Sequence, residues 1–113
     1  MAAPKKEYQC ALVLTHDLIG GKWKLRILWH VLHGDNRYMQ LCRAIPDITQ
    51  KVLTTQLREL ETSGLLTRTV HDDVLLHVEY ALSPQYERLV PVIEDLCAFS
   101  RFYARENDIS LAD

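Results

Sequence analysis

Apolar and polar positions follow two different periods along this chain. Over most of its length apolar residues recur every three or four positions, the spacing of one helix face, whereas between Leu65 and Leu82 they come in short strand-like runs. The first helical stretch runs from Cys10 to Ile19, with Leu12, Val13, Leu14, Leu18 and Ile19 as its apolar positions, and is closed by Gly20-Gly21. A second runs from Lys22 to His33, with Trp23, Ile27, Leu28, Val31 and Leu32 on one face, and ends at Gly34. Arg37-Tyr38 reads as a short extended strand, and Met39 to Ile45 as a compact third helix that Pro46 stops.

The segment at about 49–62 has the clearest two-sided pattern. Thr49 is placed to cap its start, and Gly64 supplies the backbone freedom that ends it. Leu53, Leu57 and Leu60 fall on one narrow stripe; Lys51, Thr54, Thr55 and Arg58 gather opposite, with Gln50 and Gln56 at the edges. Arg and Lys can pair with guanine acceptors or phosphates, Gln with adenine, and a Thr methyl with the thymine methyl. An ordinary solvated helix face has the same composition, so the neighbours decide. The preceding helix is joined to this one by the tight turn Pro46-Asp47-Ile48, which makes the pair a helix-turn-helix.

Beyond Gly64, Leu65 to His71 has strand-like β-branched content, Asp72-Asp73 reads as a turn, and Leu76 to Leu82 alternates. Val78, Tyr80 and Leu82 are expected to face the core and His77, Glu79 and Ala81 the other side. Ser83 is the expected cap of a final helix, with Pro84 in its first turn and Pro91 either kinking it or separating a short initial turn from the main helix. The fold class is therefore mainly α with a small β-hairpin wing, a winged helix-turn-helix. A flexible arm is expected over 1–9, the domain with its dimerisation helices over 10–106, and a tail over 107–113. Leu12 on the first helix, and Leu96, Phe99, Phe102 and Tyr103 on the last, exceed the apolar surface such a domain needs, which predicts a dimer through the terminal helices.

Composition changes this picture in a few places. The 113 residues suit one domain, and the net charge of −2 argues mildly against nucleic acid taken globally. Its distribution argues otherwise. Between Gly20 and Val70, Lys22, Lys24, Arg26, Arg37, Arg43, Lys51, Arg58 and Arg68 face Asp35, Asp47, Glu59 and Glu61, while acidic residues outnumber basic ones from Glu87 onward. No run approaches the ~18 apolar residues of a membrane span, and no signal-type stretch follows the N-terminus, so the expected location is the cytoplasm. Cys10, Cys42 and Cys97 form no CxxC and are expected as thiols. His30 and His33 stand at i, i+3, but with no accompanying ligand constellation they read as surface histidines; neither a metal nor a cofactor is expected. No nucleophile elbow, phosphate loop or zinc-protease motif is present, so an enzyme is not expected. The rival to a DNA reader is a noncatalytic protein-interaction module on a winged scaffold, favoured by the acidic net charge and Asp72-Asp73.

An ordered set of short motifs then carries a resemblance. Cys10, Asp17-Leu18-Ile19-Gly20-Gly21-Lys22-Trp23, Arg37-Tyr38, Ile45-Pro46, Ile48-Thr49-Gln50-Lys51, Leu57-Arg58-Glu59-Leu60-Glu61, Gly64-Leu65 and Val78-Glu79-Tyr80-Ala81-Leu82-Ser83 resemble the HxlR-type regulators, bacterial winged helix-turn-helix transcription factors of MarR-like architecture. The resemblance covers about Cys10 to Leu96. It implies a homodimer on a pseudo-palindromic double-stranded operator with one recognition helix in each major groove. Gln50, Lys51, Thr54, Thr55 and Arg58 would then read the groove and its phosphates, Arg37 and Arg68 would touch the backbone, and Lys22 would add a phosphate contact. The chain departs from the family pattern at the wing, where Leu75, Leu76 and His77 replace the usual prolines and the tip is acidic, so most of the binding is expected from the helix. Cys10 occupies the position that several members use as a thiol sensor. It is either a thiol sensor of oxidants, helped by the adjacent helix start and by Lys5 or Lys6, or a small side chain packed in the dimer interface, and a small-molecule or oxidant effector is an expected partner. Cys42 and Cys97 lie in apolar stripes and are expected to pack.

Overall fold

Cys10 opens the first helix, its sulfur accepting a hydrogen bond from the Leu12 amide at 3.4 Å, and α1 then runs over Ala11–Ile19. The computed structural model describes residues 3–71 and 77–112. After the Gly20-Gly21 turn come α2 (Lys24–Leu32), α3 (Tyr38–Ala44) and α4 (Gln50–Thr62). An antiparallel pair follows, β1 (Leu66–His71) and β2 (His77–Leu82), then a single 3-10 turn at Pro84–Tyr86 and the long α5 (Leu89–Glu106). The expected turn at Asp72-Asp73, with Leu75 and Leu76, lies outside the described residues.

The core is built from one face of each helix. Ile27 and Leu28 of α2, Leu41 of α3, Leu53, Leu57 and Leu60 of α4, and Ile45 and Leu66 beside them are all fully or almost fully buried. Each such side chain contributes roughly 1.5–3 kcal/mol on leaving water. Ile19, Leu65, Tyr80 and Ile93 complete the cluster, and Val78 and Leu82 pack against it half-buried, so β2 turns the expected face inward.

Two local expectations are corrected and one alternative is decided. Tyr38 is the first residue of α3 and not part of a strand; only Arg37 is extended, forming an isolated bridge to Glu79. The cause is the Gln40 side chain, whose Oε1 accepts from both the Asn36 and Arg37 amides at 3.1 Å and so starts the helix one residue after Arg37. Ser83 does not cap the following turn with its side chain: its hydroxyl donates to the Gly64 carbonyl, tying the end of β2 to the end of α4. Pro91 produces no mid-helix kink, because it falls in the first turn of α5, where its missing amide has no intrahelical acceptor to lose. The separate turn at Pro84–Tyr86 is the second of the two expected arrangements.

Gly64 is a position that requires glycine. Its φ of +87° lets the chain leave α4 and enter β1 within two residues, a conformation that costs any residue with a Cβ. The hairpin is thereby set directly beside the C-terminal half of α4. Among the described residues, no helix is long and apolar enough to cross a membrane.

Candidate nucleic-acid interface

The start of α4 is fixed by Thr49, whose hydroxyl oxygen accepts from the Val52 amide at 3.1 Å, as the sequence predicts. With Leu53, Leu57 and Leu60 buried, the helix has one orientation available, and Gln50, Lys51, Thr55 and Arg58 stand exposed on its far side.

The threonines differ from a simple exposed pair. Thr54 is half-buried and its hydroxyl lies 3.0 Å from the Tyr38 hydroxyl, which itself donates to the Gln50 carbonyl at 3.0 Å. A consistent arrangement has Thr54 donating to Tyr38 and Tyr38 donating to Gln50, so α3 grips the first turns of α4 through one phenol. The Thr55 hydroxyl donates back to the Lys51 carbonyl at 3.0 Å. Both hydroxyls thus retain acceptor capacity outward while their protons are used internally.

Cations flank the helix on both sides. Arg68, on β1 opposite Tyr80, shares a cleft of about 380 Å³ with Tyr38, Thr54, Arg58, Glu61 and Tyr80. Lys22 lies on the other flank, in a smaller cleft that includes Gln56, with its ammonium 4.7 Å from the Trp23 ring centre. Arg37 is exposed but leans toward the wing, with Nη2 3.4 Å from His77 Nε2 and 3.9 Å from Glu79 Oε1. Arg43, which sequence reasoning counted only as a charge, joins Arg37 and Arg68 around a groove between α3 and the hairpin.

Ion pairing decides which charges remain for a partner. Lys24 Nζ meets Glu59 Oε1 at 2.6 Å, and the Arg26 guanidinium holds both Asp47 oxygens at 3.0 Å. The Lys24 ammonium keeps the Glu59 carboxyl below its ordinary range against the opposing effect of burial, and Arg26 does the same for Asp47. Among the described residues, the basic character of the middle segment is therefore carried by Lys22, Arg43, Lys51, Arg58 and Arg68, with Arg37 in a longer contact to Glu79.

Two further arrangements escaped the sequence. Lys24 and Glu59 stand 35 positions apart and looked like ordinary surface charges. On the hairpin, His71 pairs with His77 across the strands, and Glu79 follows two residues on, so all three share one face. The His77 hydrogen bond holds the Glu79 carboxyl below its usual value. The signal was His-x-Glu in β2, but only the register reveals the opposing His71. His30 and His33 do not converge: His30 pairs with Asp35 at 3.2 Å, and His33 Nδ1 donates to the Trp29 carbonyl at 2.7 Å.

On the terminal helices Leu12, Leu96, Phe99, Phe102 and Tyr103 are all exposed, Leu12 by 75% and Phe99 by 63%. Cys10 is exposed at the start of α1, two residues before Leu12, whereas Cys42 and Cys97 are half-buried and pack against the core, as expected. Within the segment expected as an arm, the Tyr8 hydroxyl donates to Asp17 Oδ2 at 2.6 Å.

Two helices joined by a tight turn, the second with a buried leucine stripe and followed by a hairpin, define a winged helix-turn-helix. The chain belongs to the HxlR-like helix-turn-helix family, whose family model matches residues 18–108. It is 41% identical over 101 residues to YkvN of Bacillus subtilis (strain 168), named an HTH-type transcriptional regulator, covering 89% of this chain and 86% of that protein. The crystal structure named for the HTH-type transcriptional regulator ytcD superposes with a TM-score of 0.78 at 41% identity, over 86% of this chain and 99% of that one. The redox regulator HypR in its oxidized form superposes with a TM-score of 0.75 at 38% identity, over 81% of this chain and 95% of that one. The chain is thus a transcriptional regulator by family, a non-enzymatic class.

Proposed function

We propose that the protein is a homodimeric regulator that binds a pseudo-palindromic operator, with α4 of each protomer in a major groove. The observation that carries this reading is the exposed row Gln50, Lys51, Thr55 and Arg58 on a helix whose opposite face is locked into the core. Lys51 and Arg58 supply charge to phosphates or guanine, Gln50 an amide for adenine, and Thr54 and Thr55 methyl and acceptor contacts. Arg68 and Lys22 extend the positive surface to either flank, and Arg37 and Arg43 line the path of the backbone along α3. The twofold partner is recruited through Leu12, Leu96, Phe99, Phe102 and Tyr103.

The test is a salt series of binding to DNA upstream of the protein's own gene, and to sites selected from random DNA, for the wild type and Lys51→Ala/Arg58→Ala. Each lost phosphate contact flattens the dependence of log K on log salt by about 0.9, and the double variant is expected to lose both affinity and slope. Equal, weak binding by both chains, with no preferred site selected, would instead favour a protein-interaction module.

A thiol response through Cys10 belongs to the same reading. Its support is the exposed sulfur at the start of α1, two residues before Leu12, together with the similarity to HypR. Oxidation to a mixed or intersubunit disulfide would act on the dimer geometry. Oxidant-dependent DNA binding is expected in the wild type and its absence in Cys10→Ser; a response that persists in Cys10→Ser removes Cys10 as the sensor.

A further inference from the structure

The face of the wing that turns away from the core carries an arrangement unrelated to groove reading. His71 and His77 are directly opposed in the antiparallel register, their rings stacked with centroids 4.6 Å apart. Glu79 projects from the same face of β2, and the two imidazoles aim at its carboxylate: His71 Nε2 lies 3.5 Å from Oε2 and His77 Nε2 3.0 Å from Oε1. One donor atom from each of the three residues falls within 4.8 Å of the others. We propose that His71, His77 and Glu79 form a three-ligand site for a divalent late transition-metal ion of the zinc class at the outer end of the paired strands.

The geometry fits that chemistry. A tetrahedral zinc ion with metal–ligand distances of roughly 2.0–2.2 Å holds its ligand atoms about 3.3 Å apart, which is bracketed by the separations seen here. Two imidazoles and one carboxylate select zinc, nickel, copper or iron over calcium or magnesium, which prefer all-oxygen cages. All three side chains remain partly exposed, so the fourth position is open to water. Because the ligands come from both strands of the hairpin, an ion would cross-link β1 to β2 at the His71–His77 pair.

The neighbouring Arg37 strengthens the assignment by making a further prediction. Its Nη2 contacts both His77 Nε2 and Glu79 Oε1, the two atoms a metal would take, so a cation already sits against this cluster. A metal ion must displace it, and Arg37 is exposed enough to swing away. Removal of Arg37 is therefore expected to tighten metal binding several-fold. The ion and Arg37 compete for one place.

The experiment is a zinc titration of the untagged full chain by calorimetry, repeated with cobalt(II) to report ligand type. Saturable binding of one ion per chain at micromolar zinc is expected, with visible cobalt bands but none of the near-ultraviolet thiolate bands that Cys10, Cys42 or Cys97 would produce. His71→Ala/His77→Ala and Glu79→Gln are expected to lose at least tenfold in affinity with unchanged circular dichroism, His33→Ala to match the wild type, and Arg37→Ala to exceed it. Undiminished binding in His71→Ala/His77→Ala, thiolate bands in the cobalt spectrum, no saturation at micromolar zinc, or an Arg37→Ala chain that binds no tighter would each overturn the site. None of these readouts depends on DNA binding.

Discussion

Lys24 Nζ lies 2.6 Å from Glu59 Oε1 with both side chains largely removed from solvent, so α2 is joined to the inner flank of α4 by an ion pair as well as by leucine packing. Taking Lys24 away strips a poorly solvated carboxylate of one cationic partner, whereas replacing both groups removes the desolvation cost as well. Lys24→Met is expected to destabilise the fold by about 3 kcal/mol, and Lys24→Met/Glu59→Met by much less. Urea unfolding of the single and double variants measures the difference. A double variant as unstable as the single one would show that the pair matters through shape and not charge.

The same pair sets an acid limb. Glu59 has an ordinary value near 4.5 that the Lys24 hydrogen bond lowers in the folded chain, so the unfolded chain binds the proton more readily. Its contribution to stability is present above that ordinary value and is lost as the pH falls through the lower folded one. Glu59→Gln is expected to flatten the decline in melting temperature on the acid side of about pH 4.5 while leaving the neutral-to-alkaline profile parallel to the wild type. An unchanged acid limb in Glu59→Gln would move its origin to other carboxylates.

Tyr38 offers a separation of positioning from charge. Its hydroxyl links the Gln50 carbonyl and the Thr54 hydroxyl, and Tyr38→Phe removes both contacts without altering any charge. The expected cost is about 1 kcal/mol of stability. Operator affinity should fall because the first turns of α4 lose their register against α3, but the salt slope should stay that of the wild type, since no phosphate contact is lost. A reduced slope in Tyr38→Phe would mean that the phenol itself approaches the backbone of the DNA.

The helices were legible in the sequence because their cause is local. Thr49 and Gly64 mark the ends of α4, and Leu53, Leu57 and Leu60 specify its buried face whatever lies across from it. The hairpin's inner face was legible for the same reason, with Val78, Tyr80 and Leu82 alternating. What escaped depends on particular side-chain partners, near or distant, that periodicity does not name. Tyr38 belongs to a helix because Gln40 reaches back to the Asn36 and Arg37 amides, and the Ser83 hydroxyl, at the cap position, is diverted to the Gly64 carbonyl 19 residues away. The candidate interface divides in the same way: the outward side of α4 follows from periodicity, whereas the commitment of Lys24 and Arg26 to acidic partners, and the convergence of His71, His77 and Glu79, require knowledge of which elements meet.

Both α1 and α5 present large apolar side chains to solvent. Phe99 and Tyr103, one helical turn apart with ring centroids 6.5 Å from each other, stand exposed together with Phe102 and Leu12, an arrangement costly to leave in water. If this face joins two protomers, a carboxylate at its centre must be desolvated without a partner, and association should fail while the separate fold survives. Phe99→Glu is therefore expected to sediment as a monomer at micromolar concentrations where the wild type is a dimer, with the same helical content. Because only one α4 then engages the operator, the number of phosphates neutralised halves, and the salt slope should fall to about half the wild-type value. A Phe99→Glu chain that remained dimeric would place the twofold contact elsewhere, and a monomer that kept the full slope would show that one protomer supplies all the phosphate contacts.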